Sequence, residues 1–461
     1  MTILAIDQGT TSTKGYRLFD DGSLAHVGSR RHRQHYPHPG WVEFDPLEVV
    51  EAVRELITTA GPFDALGLAN QGETVVAWDA RTKRPLHPAI GWQDVRTGER
   101  IDELRAAGVE ALTLERAGLR LDPYFSAGKM RWLLDHAQDA RALLAQGRLR
   151  LGTSDAYLLD VLTGTHATDV STASRTSLLD LTSLRWDEDL CAAFGVPREC
   201  LPEIRPTAGD FGALPGGAHV AASAVDQQAS LFGHGCRDRG DLKITFGTGA
   251  FALALTGAVP LRTGDASLVP TCAWRIADDA TQYALDGGVY TAAAAVDWLR
   301  GVGLFDAFEE IATFVGPTAA SRGLMFVPAH AGLGGPYCDR SAQGLWIGIG
   351  LETSRADLCR AVLEGVALRA AQLVGAFETA LGTLARISID GGMSRNPYFV
   401  QFLADALGCP VDVAETSDLT ALGMASLCRP GWDSGERVKR CSWRRVEPVG
   451  VLDAEIHARF A

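Results

Sequence analysis

The sequence predicts an α/β protein of two similar halves closing on a ligand between them. Three observations carry that expectation. Strand-like apolar runs alternate with amphipathic helical ones throughout. The chain of 461 residues is too long for one ordinary core. Two short loops, one in each half, carry nearly the same chemistry. The first is Asp7-Gln8-Gly9-Thr10-Thr11-Ser12, directly after Ile3-Leu4-Ala5-Ile6; the second is Thr245-Phe246-Gly247-Thr248-Gly249, directly after Leu242-Lys243-Ile244. Each reads as a strand running into a tight turn of glycine and hydroxyl residues. Such a turn offers backbone N–H groups and hydroxyls to a polyphosphate, and glycine allows close backbone approach. Neither loop is G-x-x-x-x-G-K-[ST], so a P-loop enzyme is excluded.

Composition bounds the function class. Hydrophobic residues make up 46% and charged residues 21%, the balance of a globular protein. The net charge of −13 and a pI near 5.3 argue against sequence-independent nucleic-acid binding, which needs a basic face. The nine cysteines have no C-x-x-C spacing, so no zinc site or redox dithiol is expected; they read as reduced, buried thiols of a cytoplasmic protein. The N-terminus enters a strand directly and does not read as a signal peptide, and no apolar run has the length of a membrane span.

In chain order, a helix is expected from Pro46 to about Ala60. Asp45 is its N-cap, Glu48 takes the capping-box position and Gly61-Pro62 stops it. A strand Ala65 to Ala69 delivers Asn70-Gln71-Gly72-Glu73-Thr74. The domain boundary is expected near Pro215-Gly216-Gly217, giving domains 1–217 and 218–430, with 431–461 as a tail of unreadable function. Val220 to Val225 reads as a strand leading into Asp226-Gln227-Gln228. Ala292 to Val296 belongs to a buried helix. A long helix runs from Ser354 to about Leu381, with Gly382 as its stop, and a strand Ile387-Ser388-Ile389 feeds Asp390-Gly391-Gly392.

Asp226 ends an apolar run and is followed by paired amides. It can take the proton of a hydroxyl attacking phosphorus, or simply cap a helix. Asn396, in Gly392-Met393-Ser394-Arg395-Asn396-Pro397, can hydrogen-bond a nucleotide or cap the next helix. Trp92-Gln93-Asp94 and Asp122-Pro123-Tyr124-Phe125-Ser126 supply aromatic walls with polar tips, which suit a polyhydroxylated ligand or serve as core.

At these residues the chain resembles the FGGY carbohydrate kinases, and within them the glycerol-phosphorylating branch. Tyr124-Phe125-Ser126-Ala127-Gly128-Lys129-Met130-Arg131-Trp132 fits one family signature. Gly344-Leu345-Trp346-Ile347-Gly348-Ile349, with Asp357-Leu358 and Ala361-Val362-Leu363-Glu364, fits the other. Tyr36-Pro37-His38-Pro39-Gly40-Trp41, Thr172-Ala173-Ser174-Arg175-Thr176 and Gly332-Leu333-Gly334-Gly335-Pro336-Tyr337 are further similar stretches. The resemblance runs to about residue 430. It implies two actin-like, ribonuclease-H-like domains flanking a nucleotide cleft, ATP and Mg²⁺, and a small polyol or sugar as acceptor. It implies Asp226 as catalytic base, and Asp7 and Asp226 as metal-associated carboxylates. Glu73, Trp92, Tyr124, Asp226, Gln227 and Tyr290 are implied around the polyol. Thr10, Thr11, Ser12, Lys14, Gly247 and Thr248 are implied around the phosphates, with Gly392 and Asn396 on the adenosine side. No nucleic-acid or membrane partner is expected; many members are dimers or tetramers, and no symmetric patch stands out here.

The chain departs from the pattern in three places. Gly72 stands where the glycerol-phosphorylating members carry arginine, Ala293 and Asp297 stand where they carry glycine and glutamine, and the loop Pro215 to His219 is shorter and lacks an arginine. The last departure speaks against inhibition by a sugar bisphosphate. Gly72 removes a donor from the polyol site and opens room for a longer polyol or a ketopentose, so glycerol is the leading acceptor with those close behind. A chaperone-like ATPase on the same fold is the reading from another class, and the cluster of Trp92, Tyr124, Asp226 and Gln227 argues against it.

Overall fold

The computed structural model describes residues 1–264, 267–416, 418–429 and 442–461. Two mixed sheets carry the same topology. In the first, strand Ile3–Gln8 pairs antiparallel with Ser12–Leu18, which pairs antiparallel with Leu24–Arg31. On its other side Ile3–Gln8 runs parallel to Ala65–Asn70, which runs parallel to His219–Val225. In the second, Asp241–Phe246, Ala250–Gly257 and Gln282–Val289 form the antiparallel meander. Arg386–Gly391 and Val411–Ala414 add the parallel strands. Val269–Trp274 and Trp443–Val446 extend its two edges. The two glycine loops therefore occupy the same place in each half, the turn between the first two strands.

Strands Ile3–Gln8 and Ala65–Asn70 are buried almost throughout, as expected of parallel strands covered on both faces. One face packs on helices Pro46–Ala60 and Ser154–Thr163, through Leu4, Ile6, Leu66 and Leu68 against Val53, Leu56, Leu158 and Leu159. The other packs on helix Leu419–Leu427, where Ile3, Ala5 and Ala69 meet Ala421, Met424 and Ala425. A segment from late in the chain thus completes the N-terminal core. The largest cluster lies around helix Arg355–Leu381, which is buried along most of its length against the second sheet.

Local signals held where they rested on caps. Asp45 accepts from Leu47 N at 2.9 Å and opens the helix Pro46–Ala60, and Gly61, with φ +67°, ends it. Ser354 and Asp357 form a capping box on helix Arg355–Leu381. Glu48 does not complete the expected box; its carboxylate accepts from Arg33 N at 3.0 Å instead, tying the helix to the chain that leads into it.

Two boundaries differ from expectation. The turn at Pro215-Gly216-Gly217 does not divide the domains, because the strand that follows it is the edge strand of the N-terminal sheet. The division falls after helix Asp226–Gly233, before strand Asp241–Phe246. The C-terminal segment is no separate tail either: Trp443–Val446 pairs with Val411–Ala414, and Tyr337 donates to the Ala461 carbonyl at 3.0 Å. Residues 431–441 of that segment lie outside the described residues.

Helix Asp226–Gly233 crosses helix Leu419–Leu427 at glycine-sized distance. A Cβ at Gly423 would overlap the Ala229 carbonyl, and one at Gly233 the Leu419 carbonyl. Both obstacles are backbone, so neither can rotate away. Gly423→Ala is expected to destabilise the protein by about 2 kcal/mol or more, read as a lower urea midpoint. It should also lower turnover, because the displaced helix begins at Asp226.

Candidate active site

The first glycine loop is held from beneath. Gly9 N donates to Ser12 O at 3.0 Å, Thr11 O accepts from His32 N at 3.2 Å, and His32 Nε2 lies 3.1 Å from Gly9 O. Asp7 and Lys14 face each other across the hairpin. Burial raises the Asp7 pKa, and the Lys14 charge opposes that rise. The second loop is fixed to the following helix: Thr248 O accepts from Ala292 N at 2.8 Å, and Gly247 O from Ala293 N at 2.9 Å. Ala293 in turn lines a cavity of about 560 Å³ with Val296, Asp297, Ile311, Gly392 and Asn396. Both polar atoms of the Asn396 side chain are committed there, Oδ1 to Phe399 N at 2.9 Å and Nδ2 to Ile311 O at 2.9 Å. Its capping role is real, and the second N–H of its amide is not taken by these two bonds.

A second cavity, of about 160 Å³, lies between the domains. Of the residues expected around a polyol, Glu73, Trp92, Tyr124, Asp226 and Gln227 line it together with Thr10 of the first loop. Trp92 Nε1 donates to Thr10 Oγ1 at 3.0 Å, joining that loop to the cavity wall. Tyr290 is not among the lining residues. It follows strand Gln282–Val289 and lines a neighbouring cavity instead; the pairing of Gly288 with Phe251 leaves Phe251 as the aromatic wall of the inner one.

Asp226 is the first residue of its helix rather than the cap. Burial, and then the charge of Asp7, push its carboxyl up to about 7, with Lys243 pulling the other way. Lys243 is buried within strand Asp241–Phe246; its ammonium donates to Gln227 Oε1 and, at 3.1 Å, to Thr245 Oγ1. Lysine has no acceptor, so the contact fixes the Gln227 amide and leaves Nε2 as the donor available to the cavity. Glu73 sits at φ +28°, a conformation a non-glycine residue holds only when its surroundings demand it. Arg175 meets that demand: its Nε donates to Glu73 Oε1 at 2.6 Å and its Nη2 lies 2.9 Å from Asp286 Oδ2. Burial raises the Glu73 pKa, and Arg175 opposes it.

Sequence reasoning assigned no role to Lys129, Arg175, Lys243 or Asp286. Their signal was a charge within an apolar or small-residue stretch, as in Leu242-Lys243-Ile244 or Ser126-Ala127-Gly128-Lys129-Met130. Lys129 is fully buried. Burial pushes its ammonium down to about 8, and Nζ donates to the carbonyls of Tyr124 at 2.6 Å and of Glu73 and Trp92 at 3.4 Å. One ammonium thus gathers three segments that line the cavity. Among the described residues no group of three or more His, Cys, Asp and Glu is placed to hold a metal.

Two duplicated sheets, a glycine loop from each, and a half-buried carboxylate between them define a phosphotransferase cleft. The model of the FGGY family of carbohydrate kinases, N-terminal domain, matches residues 2–233, and that of the C-terminal domain matches residues 242–429. The chain belongs to this family and is an ATP-dependent carbohydrate kinase. It is 43% identical over 446 residues to a glycerol kinase of Citrifermentans bemidjiense, covering 93% of this chain and 90% of that one. It is 44% identical over 439 residues to a glycerol kinase of Thermus brockianus, covering 92% and 88%. The crystal structure of Plasmodium falciparum glycerol kinase with ADP superposes with a TM-score of 0.91 at 30% identity, covering 99% and 96%. The crystal structure of a xyloylose kinase from Brucella ovis superposes with a TM-score of 0.86 at 26% identity, covering 100% and 96%.

Lys129→Met keeps the length of the side chain and removes the ammonium from the three carbonyls. It is expected to raise the KM for the acceptor about tenfold or more, while the KM for ATP moves much less. Initial rates against each substrate check it.

Proposed function

We propose that this chain transfers the γ-phosphoryl group of ATP to a terminal hydroxyl of glycerol. The observation that carries the reading is the convergence of Thr10, Glu73, Trp92, Tyr124, Asp226 and Gln227 on one small cavity at the first glycine loop. The cavity joins hydroxyl-binding groups to a carboxylate whose pKa lies near neutrality, where a general base works best. On this reading Asp226 accepts the proton of the attacking hydroxyl as the oxygen–phosphorus bond forms. Gln227 and Glu73 hold the other hydroxyls, and the rings of Trp92, Tyr124 and Phe251 cover the carbon chain.

The cavity lined by Ala293, Gly392 and Asn396 takes the base of ATP. Thr248 and Gly247, bonded to the helix that opens this cavity, and Gly9, Thr10, Thr11, Ser12 and Lys14 on the opposite hairpin border the path of the phosphates. Asp7 and Asp226 would fit a divalent cation, since the charge of Asp7 opposes ionisation of Asp226 and two carboxylates with phosphate oxygens are the usual oxygen donors of Mg²⁺. Mg²⁺ held there supplies positive charge to the transferring phosphoryl group. Closure of the two domains excludes water, which would otherwise compete as the acceptor.

A second reading, phosphorylation of a four- or five-carbon polyol or a ketopentose, is favoured by Gly72. Position 72 contributes no side chain to the cavity, and its φ of +64° holds a backbone suited to glycine. ADP release with ATP and Mg²⁺ separates the two across glycerol, erythritol, ribitol, arabinitol, xylulose and ribulose. Glycerol is expected to give the highest kcat/KM; a longer acceptor winning clearly would replace it in this reading. Asp226→Asn is expected to lower kcat about 100- to 10,000-fold with the acceptor that wins and to leave the fold intact.

A further inference from the structure

We propose that Arg175 binds the substrate directly: its guanidinium donates to a hydroxyl of a neutral polyol and, with Glu73, decides which acceptors the cavity takes. The inference rests on the reading of the inner cavity as the acceptor site.

Arg175 lines that cavity and is only 4% exposed. Its Nε and Nη2 are taken by Glu73 and Asp286, while Nη1 is buried with no partner at hydrogen-bond distance among the described residues, the Tyr124 phenol lying close enough to the guanidinium to interact with it. A buried N–H of a charged group left unpaired is costly, so a native structure that keeps one on a residue lining a cavity points to a ligand there. Two further lining residues each carry a buried, unpartnered atom, Gln71 Nε2 and Gln228 Oε1. Two donors and one acceptor on the wall of one small cavity match hydroxyl groups, which both donate and accept.

No other residue supplies this charge. Among the described residues lining the cavity, Arg175 is the sole cation. Lys129 and Lys243 are spent on the carbonyls and side chains behind the wall. Gly72 brings nothing, and a Cβ there would lie 3.2 Å from Val225 Cγ1. The guanidinium is also fixed in advance. It lies 5.7 Å from the ring of Tyr124 and 5.4 Å from that of Phe125, and its two ion pairs set its plane. A planar fork held this way loses little freedom on binding.

The surrounding charge sets the substrate class. One guanidinium faces two carboxylates, Glu73 and Asp286, with Asp226 across the cavity. A carboxylate at the far end of the substrate would enter beside like charges, whereas a hydroxyl donates to Glu73 and accepts from Arg175. Neutral polyols fit and aldonic acids do not.

The test pairs enzyme variants with substrates that lack one group. Glycerol, propane-1,2-diol, propane-1,3-diol and glycerate are assayed with ATP and Mg²⁺ on the wild type and on Arg175→Lys. The wild type is expected to lose about 10- to 100-fold in kcat/KM when the hydroxyl read by Arg175 is absent. Arg175→Lys is expected to lose a similar factor with glycerol, mainly in KM, and much less with that diol, so that the discrimination between them collapses. A merely structural role predicts equal losses on glycerol and both diols, and that result would overturn the proposal. Should Arg175→Lys fail to fold, Asp286→Asn serves, because it removes one carboxylate and frees Nη2. It should raise the ratio of glycerate to glycerol use about tenfold over the wild type, and an unchanged ratio contradicts the proposal. If the wild type does not use glycerol at all, the reading of glycerol as acceptor fails by itself. The same comparison then runs on the polyol that wins the panel and on its deoxy analogues.

Discussion

The rest of the structure is organised around the cost of burying carboxylates in the cleft. Glu73 is buried and Asp7 and Asp226 are half-buried at the cleft, and desolvation is the largest influence on each. A buried charge is tolerated only when paired and hydrogen-bonded, and removing one partner exposes the full penalty. The fold answers with a few buried cations placed where each does two things. Arg175 neutralises Glu73 and reaches across to Asp286 on the other domain. Lys243 faces Asp226 and orients Gln227. Lys129 binds no carboxylate directly and spends its charge on three carbonyls of the cavity wall. All three carboxyls stay above the ordinary carboxylate value, and Asp226, raised to about 7, is the one placed where a proton acceptor is needed.

Positioning that carboxylate depends on residues far from the cleft in sequence. Asp226 opens a helix seated on helix Leu419–Leu427 through a glycine on each side, and the second helix lies against strands Ile3–Gln8 and Ala65–Asn70. Those same strands end in the first glycine loop and in the Gln71-Gly72-Glu73 corner. The base, a phosphate loop and the acceptor site are therefore referenced to one packed layer. The buried Asn70 side chain reinforces it, donating to Thr172 Oγ1 at 3.0 Å and Ala224 O at 2.9 Å and accepting from Gly72 N at 2.9 Å. Domain motion can open the cleft without disturbing the relation between base and corner, because both belong to the N-terminal layer.

The features legible in the sequence were those encoded by local rules. The glycine loops, the cap at Asp45, the helix starting at Ser354, and the strands leading to Glu73, Asp226 and Asp390 all depend on neighbours within a few residues. What sequence reading missed depends on pairing across the chain. The strand after Gly217 looked like the start of a domain because its turn is rich in glycine and proline, yet its partner is Ala65–Asn70. Glu48 had the spacing of a capping box, but Arg33 N, brought near by the fold, took its carboxylate. Tyr290 looked like a wall of the inner cavity until strand register put Phe251 there. Arg175 and Lys129 sat inside recognised motifs, but a motif does not say which carboxylate or carbonyl a side chain will meet.

The central claim is that burial and the neighbouring Asp7 hold Asp226 ready as a base. The most direct measurement is ¹³C NMR of the aspartate carboxyl groups in the enzyme without nucleotide, titrated from acid to mild alkali, with Asp226→Asn identifying the resonance. The account predicts that the Asp226 signal titrates near 7. It also predicts a lower midpoint in Asp7→Asn, because the like charge that opposes ionisation is gone. An Asp226 signal titrating near 4, the ordinary value for aspartate, and indifferent to Asp7 would contradict it.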